Sequence, residues 1–439
     1  MPVVRPFRAL RYAAEAVPDL ATVIAPPYDV IGEEDRRELL ARDPRNAVRL
    51  DLPIGDAGDP DPYERYRRAA RLLASWRGDG TIRQDPRPAA YVYEQSFSRP
   101  GSPVVQVRRG FLARVGLEPF GEGVRAHERT LAAPREDRYR LLRASNVNTS
   151  PVVAMYEDAA GRVAPLLAAV SGERPDVDIV DGTGERHRLW VLVAATDGRA
   201  EILCEAAAAG PLTIADGHHR YETALRYRDE RRVGAPAGMD HGFDFVLTLL
   251  LEPVAGPLVV LPTHRVVRDL GDESVATMIE RLSSLFDVRS GLTRDDLLAI
   301  FGASGSSASA AGGRLGLWTR HGGFELRARR AAFEPILPAG GAALRRLDVT
   351  LLGAALERCA GLDADAVASG AGLAYSKDAE EALALVDGGV DGADAAFLLD
   401  ATRSAEIIAV AADGDVMPQK STYIYPKAAT GLVINPLEG

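Results

Sequence analysis

The segment Pro211–Tyr221 reads PLTIADGHHRY and contains a strand, a tight turn and the start of a helix in direct succession. The short apolar run at 211–215 predicts a buried strand, and the helical pattern over 219–229 predicts the helix that follows it. Asp216 and Gly217, which lie between them, are typical turn residues. This strand–turn–helix unit predicts an α/β fold.

Several charged and polar side chains gather at the predicted helix start, where a helix exposes unsatisfied N–H groups and the positive end of its dipole. Gly217 lets the backbone approach a ligand closely, and the guanidinium of Arg220 suits phosphate oxygens. His218 and His219 stand beside them in a chain with only seven histidines. The combination predicts a phosphate cradle, with Asp216 as ligand for a Mg²⁺ that bridges phosphates. The alternative is an ordinary turn in which Asp216 caps the helix.

Strand-like and helix-like segments alternate along the rest of the chain, which predicts a mixed α/β (α+β) architecture. Segments 91–97 and 104–115 are predicted to pair as a hairpin. We predict three regions: an N-terminal α+β region at 1–120, a catalytic region at 121–268, and a C-terminal α/β region at 269–439 that returns to the site.

The composition limits the class of protein. The 439 residues carry a formal net charge of −10, and 46% of them are hydrophobic. An acidic protein repels phosphate backbones, so nucleic acid is not an expected partner, whereas small anionic substrates remain open. No stretch approaches the ~20 apolar residues that span a bilayer, and the N-terminus lacks the apolar core of a secretory signal. We expect a cytoplasmic protein without a membrane partner, and the oligomeric state stays open.

The motif DGHHR at 216–220 resembles the signature of free-serine kinases with the ParB/sulfiredoxin-like fold. The resemblance implies a central unit of that fold and phosphoryl transfer, in either direction, between a nucleotide (ATP or ADP) and the hydroxyl of L-serine. It implies that the motif and Mg²⁺ hold the nucleotide phosphates, while Arg220 and a histidine stabilise the transferring group. Glu128, in the segment AHERT at 126–130, is similar in placement to the glutamate proposed in that family as the base for the serine hydroxyl.

The chain as a whole resembles a widespread prokaryotic family of conserved, uncharacterised proteins. The signatures of that family occur here as PFRAL at 6–10, APPYDV at 25–30, HERT at 127–130, DGHHRYETAL at 216–225 and PQKSTY at 418–423. They are spread over nearly the full length of the chain. This resemblance assigns a family and implies no chemistry beyond that of the DGHHR motif.

Three further side chains are candidate contacts for the substrate. Tyr28 and Asp29 follow two prolines that make the loop rigid and present both side chains at fixed angles. The same pattern fits a simple turn with Asp29 as a cap. Arg143 belongs to a short helix predicted after the HERT segment and is the third candidate, although solvated arginines are common on such helices.

A basic, hydroxyl-rich segment near the C-terminus carries Lys420 and Ser421. Such a segment in an acidic protein suits phosphate or carboxylate binding. The alternative is an edge strand that lysine protects from aggregation. We predict that Lys420 or Ser421 returns to the cleft that holds His218.

The predicted function is that of a nucleotide-dependent phosphotransferase acting on a small hydroxy amino acid, with L-serine or phosphoserine as the first choice. No P-loop motif is present, and no GxGxxG fingerprint follows a first strand. One alternative is a non-catalytic, nucleotide-sensing regulatory module. The other is a metal-dependent phosphohydrolase with Asp216, His218 and His219 as ligands. A carboxylate near the phosphate cradle but outside 216–220 would favour the kinase, because it supplies the base.

Overall fold

The computed structural model describes residues 1–438 except 129, 131, 237, 257, 303–311, 363–371 and 419. The described strands, in chain order, are β1 (Val4–Arg5), β2 (Leu10–Tyr12), β3 (Ile82–Gln84), β4 (Ala89–Ser98), β5 (Val105–Gly116), β6 (Val124–Arg125), β7 (Val147–Asn148), β8 (Val152–Met155), β9 (Val177–Val180), β10 (Arg186–Val193), β11 (Leu212–Asp216), β12 (Phe245–Leu251), β13 (Val259–Leu261), β14 (His264–Arg268), β15 (Phe286–Leu292), β16 (Arg314–Thr319), β17 (Gly322–Ala328), β18 (Leu373–Ser376), β19 (Ala393–Leu399), β20 (Tyr423–Tyr425) and β21 (Asn435–Pro436).

The described α-helices are α1 (Glu33–Arg42), α2 (Val48–Asp51), α3 (Glu64–Gly78), α4 (Ala132–Ser145), α5 (Val163–Ser171), α6 (Arg199–Ala208), α7 (His218–Arg232), α8 (Asp272–Leu282), α9 (Arg294–Phe301), α10 (Arg330–Phe333), α11 (Ala342–Arg346), α12 (Asp348–Ala360), α13 (Ala379–Asp387) and α14 (Ser404–Ala412). No helix in the described part of the chain is long and apolar enough to cross a membrane. The mixed α/β class predicted from the sequence is confirmed.

The larger sheet is mixed and has nine strands in the described residues, in the order β6-β11-β8-β12-β5-β4-β10-β9, with β1 paired to β5. β4 and β5 are the predicted hairpin, antiparallel from Tyr91 opposite Leu112 to Ser98 opposite Val105. β12 lies inside the sheet, and all seven of its residues are buried. Its alternate side chains enter two different hydrophobic clusters, as expected when successive residues point to opposite faces. Both faces of the sheet are therefore covered.

A second, antiparallel sheet has six strands in the order β15-β17-β16-β19-β14-β18, the first of which along the chain begins at His264. The larger sheet takes β1, β4 and β5 from before residue 120 and its other strands from after it. The predicted N-terminal and central regions thus share one sheet. The division into three regions at 120 and 268 remains a prediction.

The C-terminal segment runs back over the first half of the chain. β20 pairs with β13, and β21 pairs with β7. Leu10 and Ile434 exchange main-chain hydrogen bonds of 2.9 and 3.0 Å. The side chain of Gln95, in the larger sheet, donates to the main-chain oxygen of Lys427 at 3.0 Å. These contacts fix the position of Lys427 relative to β4.

Truncating a side chain of this returning segment tests how firmly it is attached. Ile434 is fully buried against Leu10 and Val147, so Ile434→Ala is expected to lower the free energy of unfolding by about 2–5 kcal/mol. Ile54→Ala is the matched control, because Ile54 is 46% exposed and its loss is expected to cost less than about 0.5 kcal/mol. Urea denaturation measures both values. Equal stabilities for the two variants would contradict the packing described.

Candidate functional site

The turn between β11 and α7 holds the predicted motif, and the predicted strand and helix are both present. Gly217, which separates them, has φ 87° and ψ 29°, a left-handed conformation that residues with a Cβ disfavour. A Cβ at this position would lie 3.0 Å from Nε of Arg220. Glycine therefore allows the guanidinium of Arg220 to fold back against the turn. On its other side Arg220 lines a cavity of about 40 Å³, which has room only for water.

Asp216 is the centre of an ion-pair network. Its Oδ2 accepts a hydrogen bond from Nη2 of Arg220 at 2.6 Å, and its Oδ1 accepts one from Nζ of Lys427. Arg220 also donates to the main-chain oxygen of Pro151, just before β8. The side chains of Asp216, Arg220 and Lys427 are 13%, 11% and 10% exposed. The network therefore ties the turn to the C-terminal segment in a largely desolvated place.

The neighbouring cations set the charge state of Asp216. Burial alone would raise the pKa of its carboxyl, but the charges of Lys427 and Arg220 outweigh burial and hold that pKa below its usual range. The same attraction acts on the ammonium of Lys427. Burial alone would lower the pKa of Lys427, but the carboxylates of Asp216 and Asp29 outweigh burial and raise it. Both members of the pair are charged at pH 7.

The predicted role of Asp216 as a magnesium ligand stays a prediction. Each of its carboxylate oxygens faces a cation, Arg220 or Lys427. Within the described residues, the group of carboxylate and imidazole atoms close enough to share a metal ion is Asp181, Glu185 and His187. That group does not include any residue of the DGHHR motif.

His127 and His218 form a buried pair beside the network. Nδ1 of His127 donates to the main-chain oxygen of Ile214 at 2.6 Å, and its Nε2 accepts from the hydroxyl of Thr422 at 2.9 Å. Nε2 of His218 accepts from the main-chain N–H of His127 at 3.3 Å. Burial lowers the pKa of His127 to about 4 and the pKa of His218 well below its usual value. Both rings are therefore neutral at pH 7, and Nε2 of His218 is occupied.

Glu128 lies close to the motif in space, although it belongs to the segment that precedes α4. Its Oε1 accepts a hydrogen bond from the main-chain N–H of Lys420 at 3.0 Å, and the main-chain oxygen of Lys420 accepts one from Arg265 at 3.1 Å. Burial raises the pKa of Glu128 to about 7, against the lowering effect of the hydrogen bond and charge of Lys420. The charges of Asp216 and Lys427 also act on Glu128, in opposite directions. A carboxylate that titrates near neutrality thus lies beside the Asp216 network.

Lysine occurs at only three positions in the chain, and all three meet here. The residues are Lys377, Lys420 and Lys427, whereas every other one of the 52 basic side chains is arginine. Nζ of Lys377 lies 3.5 Å from the ring centre of Tyr423, and Nζ of Lys427 lies 4.7 Å from the same centre. Burial and the charges of Lys427 and Lys420 lower the pKa of Lys377. We call Lys377, Lys420 and Lys427 the lysine cluster.

The sequence reasoning selected Lys420 and missed two of these lysines and His127. The rarity of lysine is the signal that points to Lys377 and Lys427. The chain uses arginine at its other basic positions, and its three lysines lie in one region. His127 stands directly before the selected Glu128, and only the structure shows that its ring reaches β11. The main-chain N–H of Lys420 donates to Glu128, so the C-terminal segment lies beside Glu128.

The loop with Tyr28 and Asp29 completes one side of the site. Oδ2 of Asp29 lies 3.8 Å from Nζ of Lys427, and the Asp29 side chain is 39% exposed. The ring of Tyr28 lies under the guanidinium of Arg138 at 3.9 Å. His219, half-buried, lies close enough to Asp29 for their charges to interact, although burial is the main influence and lowers its pKa. Asp29 and His219 are thus the more accessible polar groups of the motif region.

Two predicted contacts are placed elsewhere. Arg143 pairs with Glu230 at 3.3 Å and is 64% exposed. Because Glu230 lies about three helical turns beyond His218 along α7, the Arg143 side chain points away from the site. The hydroxyl of Ser421 donates to the main-chain oxygen of Pro418, inside the turn before β20. Ser421 is buried and holds that turn rather than facing the lysine cluster.

Comparison with known proteins gives a family and little else. A family model described as "Protein of unknown function (DUF1015)" matches residues 4–350. No curated protein matches the chain.

Several solved structures are similar at low identity. A free serine kinase in complex with AMP is 14% identical over 70% of this chain and 88% of its own, with a TM-score of 0.35. A conserved hypothetical protein from Pyrococcus furiosus is 14% identical over 71% of this chain and 94% of its own, with a TM-score of 0.33. SbnI with a C-terminal truncation, from Staphylococcus aureus, is 11% identical over 74% and 87%, with a TM-score of 0.37. At such scores these likenesses carry no argument about this chain.

The buried neutral histidines predict how stability depends on pH. The pKa of His127 is about 4 in the folded protein and about 6.5 in the unfolded chain, so the unfolded state binds more protons between those values. The contribution of the neutral His127 to the free energy of unfolding is therefore complete above pH 6.5 and is lost as pH falls towards 4. In His127→Gln, the loss of unfolding free energy from about pH 6.5 to 4.5 is expected to be about 2 kcal/mol smaller than in the wild type.

Chemical denaturation at several pH values measures this difference. His321→Gln is the control, because His321 is exposed and the substitution removes a histidine without touching the buried pair. A His127→Gln variant with the same pH dependence as the wild type would show that His127 is not held in the neutral form.

Proposed function

We propose that this chain, which belongs to the DUF1015 family of proteins of unknown function, is a nucleotide-dependent phosphotransferase. It moves a phosphoryl group between a nucleotide, ATP or ADP, and the hydroxyl of a small amino acid, with L-serine and phosphoserine as the first candidates. The observation that carries the proposal is the position of Glu128, whose carboxylate accepts the main-chain N–H of Lys420 and lies within reach of the charges of Asp216 and Lys427, and whose pKa burial raises to about 7.

The positive groups around Tyr423 bind the phosphates in this proposal. Phosphoryl transfer needs mainly positioning of the reactants and neutralisation of phosphate charge. Lys420 and Lys427 supply ammonium groups near the N-terminus of α7, where the helix dipole adds positive potential. Arg220, bound to Asp216 and Pro151, is a positioning residue in this account, since it aligns the carboxylate that holds Lys427.

Glu128 has the properties of a general base for the acceptor hydroxyl. A base works best when its pKa lies near the working pH, because it is then both deprotonated and able to hold the proton it accepts. In the forward direction Glu128 takes the proton of the hydroxyl while the oxygen attacks the terminal phosphorus and the bond to the nucleotide oxygen breaks. In the reverse direction it returns the proton to the alkoxide oxygen of the amino acid.

The acceptor amino acid is assigned to the loop at Tyr28 and Asp29. Asp29 is a partly exposed carboxylate next to Lys427, and such a group pairs well with the ammonium of an amino acid. The ring of Tyr28 packs on Arg138 and its main-chain N–H donates to the carboxylate of Asp51 at 3.2 Å, which holds that loop in place. Mg²⁺, when bound with the nucleotide, would shield phosphate charge, and Asp216 is the carboxylate proposed to hold it.

The rival functions have less support. A metal-dependent phosphohydrolase needs Asp216 and His218 as ligands, yet both carboxylate oxygens of Asp216 and Nε2 of His218 have protein partners. A nucleotide-sensing module needs no base, whereas here a carboxyl group outside 216–220 is desolvated beside the cluster. A measurement of phosphoryl transfer distinguishes the two, because an enzyme turns over its substrates and a sensor only binds the nucleotide.

Replacement of the base tests catalysis apart from binding. Glu128→Gln keeps the size of the side chain and an acceptor for the N–H of Lys420 but removes the proton acceptor. Turnover with ATP and L-serine, or with ADP and phosphoserine, is expected to fall by about 10²–10⁴-fold, while nucleotide affinity changes by less than about threefold. Phosphorus NMR follows turnover, and calorimetry follows binding. Glu122→Gln, at an exposed glutamate six residues upstream, should behave as the wild type; full activity in Glu128→Gln would remove the base from the account.

The pH dependence of the wild-type rate gives a second test. Because Glu128 must be deprotonated to act as base and its pKa is about 7, kcat for phosphorylation of the hydroxyl should rise about tenfold per pH unit up to about pH 7 and then level off. Initial rates measured from about pH 5.5 to 8.5 give the profile. A rate that is flat across this range would mean that no group with such a pKa takes part.

A further inference from the structure

A second cavity adjoins the lysine cluster, and the phosphoryl transfer proposed above does not use it. Its volume is about 260 Å³. It lies between the turn that joins β4 to β5, the start of β14, the end of α9 and the residues just before α13. Leu261, Leu298 and Phe301 contribute apolar walls. The volume is close to the ~300 Å³ at the lower end of small-molecule pockets.

His264 gives this cavity an unpaired polar group. The residue is fully buried and lines the cavity. Its Nδ1 accepts a hydrogen bond from the main-chain N–H of Leu399 at 3.2 Å, so the ring proton is on Nε2, and Nε2 has no partner. Nε of Arg99, which also lines the cavity, is buried without a partner. A buried donor left unpaired costs about 1–3 kcal/mol, so two at one cavity point to a ligand with acceptor atoms.

The charges around the cavity favour an anion at one end. Lys377 lines it, and its ammonium faces the Tyr423 ring that Lys427 also faces. The nearby carboxylates have other partners. Asp378 accepts the N–H of Glu380 at 2.7 Å at the start of α13, and Asp400 pairs with Arg314 at 3.2 Å. The carboxylate of Glu380, which also lines the cavity, is 75% exposed and lies 4.0 Å from Arg294. The positive end of the cavity is therefore the end nearest the Asp216 network.

We propose that this cavity binds the nucleoside of the nucleotide, whose phosphates pass Lys377 to reach Lys427. This rests on the proposed function and adds to it a location and a third lysine. The flat base packs between Leu261, Leu298 and Phe301, while Nε2–H of His264 and Nε–H of Arg99 donate to ring nitrogens or sugar oxygens. Lys377 is then the residue that joins the nucleoside site to the reacting phosphates.

Filling the cavity from α9 tests the proposal. Ile300 lines the cavity and is partly exposed, whereas its neighbour Ala299 is exposed and does not line it. Ile300→Trp fills the cavity, and Ala299→Trp is the control that adds the same side chain to the same helix. Calorimetric titrations of the full-length protein use ADP, GDP, the two nucleosides and inorganic pyrophosphate. Lys377→Gln is titrated in parallel.

The proposal predicts a different pattern for each variant. Ile300→Trp should lower the affinity for whichever nucleotide the wild type binds by about 10–100-fold and abolish nucleoside binding, with pyrophosphate affinity unchanged. Lys377→Gln should weaken nucleotide and pyrophosphate alike and leave the nucleoside unaffected. Ala299→Trp should match the wild type.

Two failures have different meanings. If the wild type binds a nucleotide and Ile300→Trp binds it equally well, the cavity is not the nucleoside site, and the proposed function stands. If the wild type binds neither nucleotides nor pyrophosphate, the proposed function fails and the nucleoside site with it.

Discussion

The ion pair between Asp216 and Lys427 is the contact on which the site depends. It joins residues 211 positions apart and connects the end of β11 to the segment that follows β20. Because Arg220 holds the second oxygen of Asp216, the carboxylate is fixed between two cations in a place with little solvent. The pair places the charge of Lys427 next to Asp29 and the Tyr423 ring. Lys427, one of the positive groups that would meet a phosphate, is positioned by this one carboxylate.

The sequence predicts the local parts of this arrangement and not the distant ones. The strand, the glycine turn and the helix of 211–232 follow from neighbouring residues, because apolar periodicity and the left-handed conformation at Gly217 are local properties. Which lysine meets Asp216 depends on the pairing of β13 with β20, which no local pattern encodes. The direction of Arg143 depends in the same way on how α4 packs against α7. A carboxylate at a strand end suits Mg²⁺ or an ammonium equally well, so the sequence could not choose between them for Asp216.

The use of lysine at three positions only has a physical explanation in this geometry. An ammonium is a compact charge on a flexible stem, whereas a guanidinium is a wide planar fork. Lys377 and Lys427 face one phenol ring, and Lys427 also reaches Asp216, so two compact charges share one small aromatic face. Burial and the charges of Lys427 and Lys420 lower the pKa of Lys377, so added negative charge is favourable beside it. Glu128 borders the cluster, and its own desolvation keeps it from simply neutralising these lysines.

The raised pKa of Glu128 is the property on which the proposed catalytic role rests, and it can be measured directly. A titration of the glutamate side-chain carboxyl carbons by carbon-13 NMR, with Glu128→Gln to assign the resonance, reports it without any substrate. The account predicts one glutamate that titrates at about pH 7 and is missing from the spectrum of the variant. If every glutamate titrates below about pH 5, as unperturbed side chains do, Glu128 is an ordinary carboxylate and the central claim is wrong.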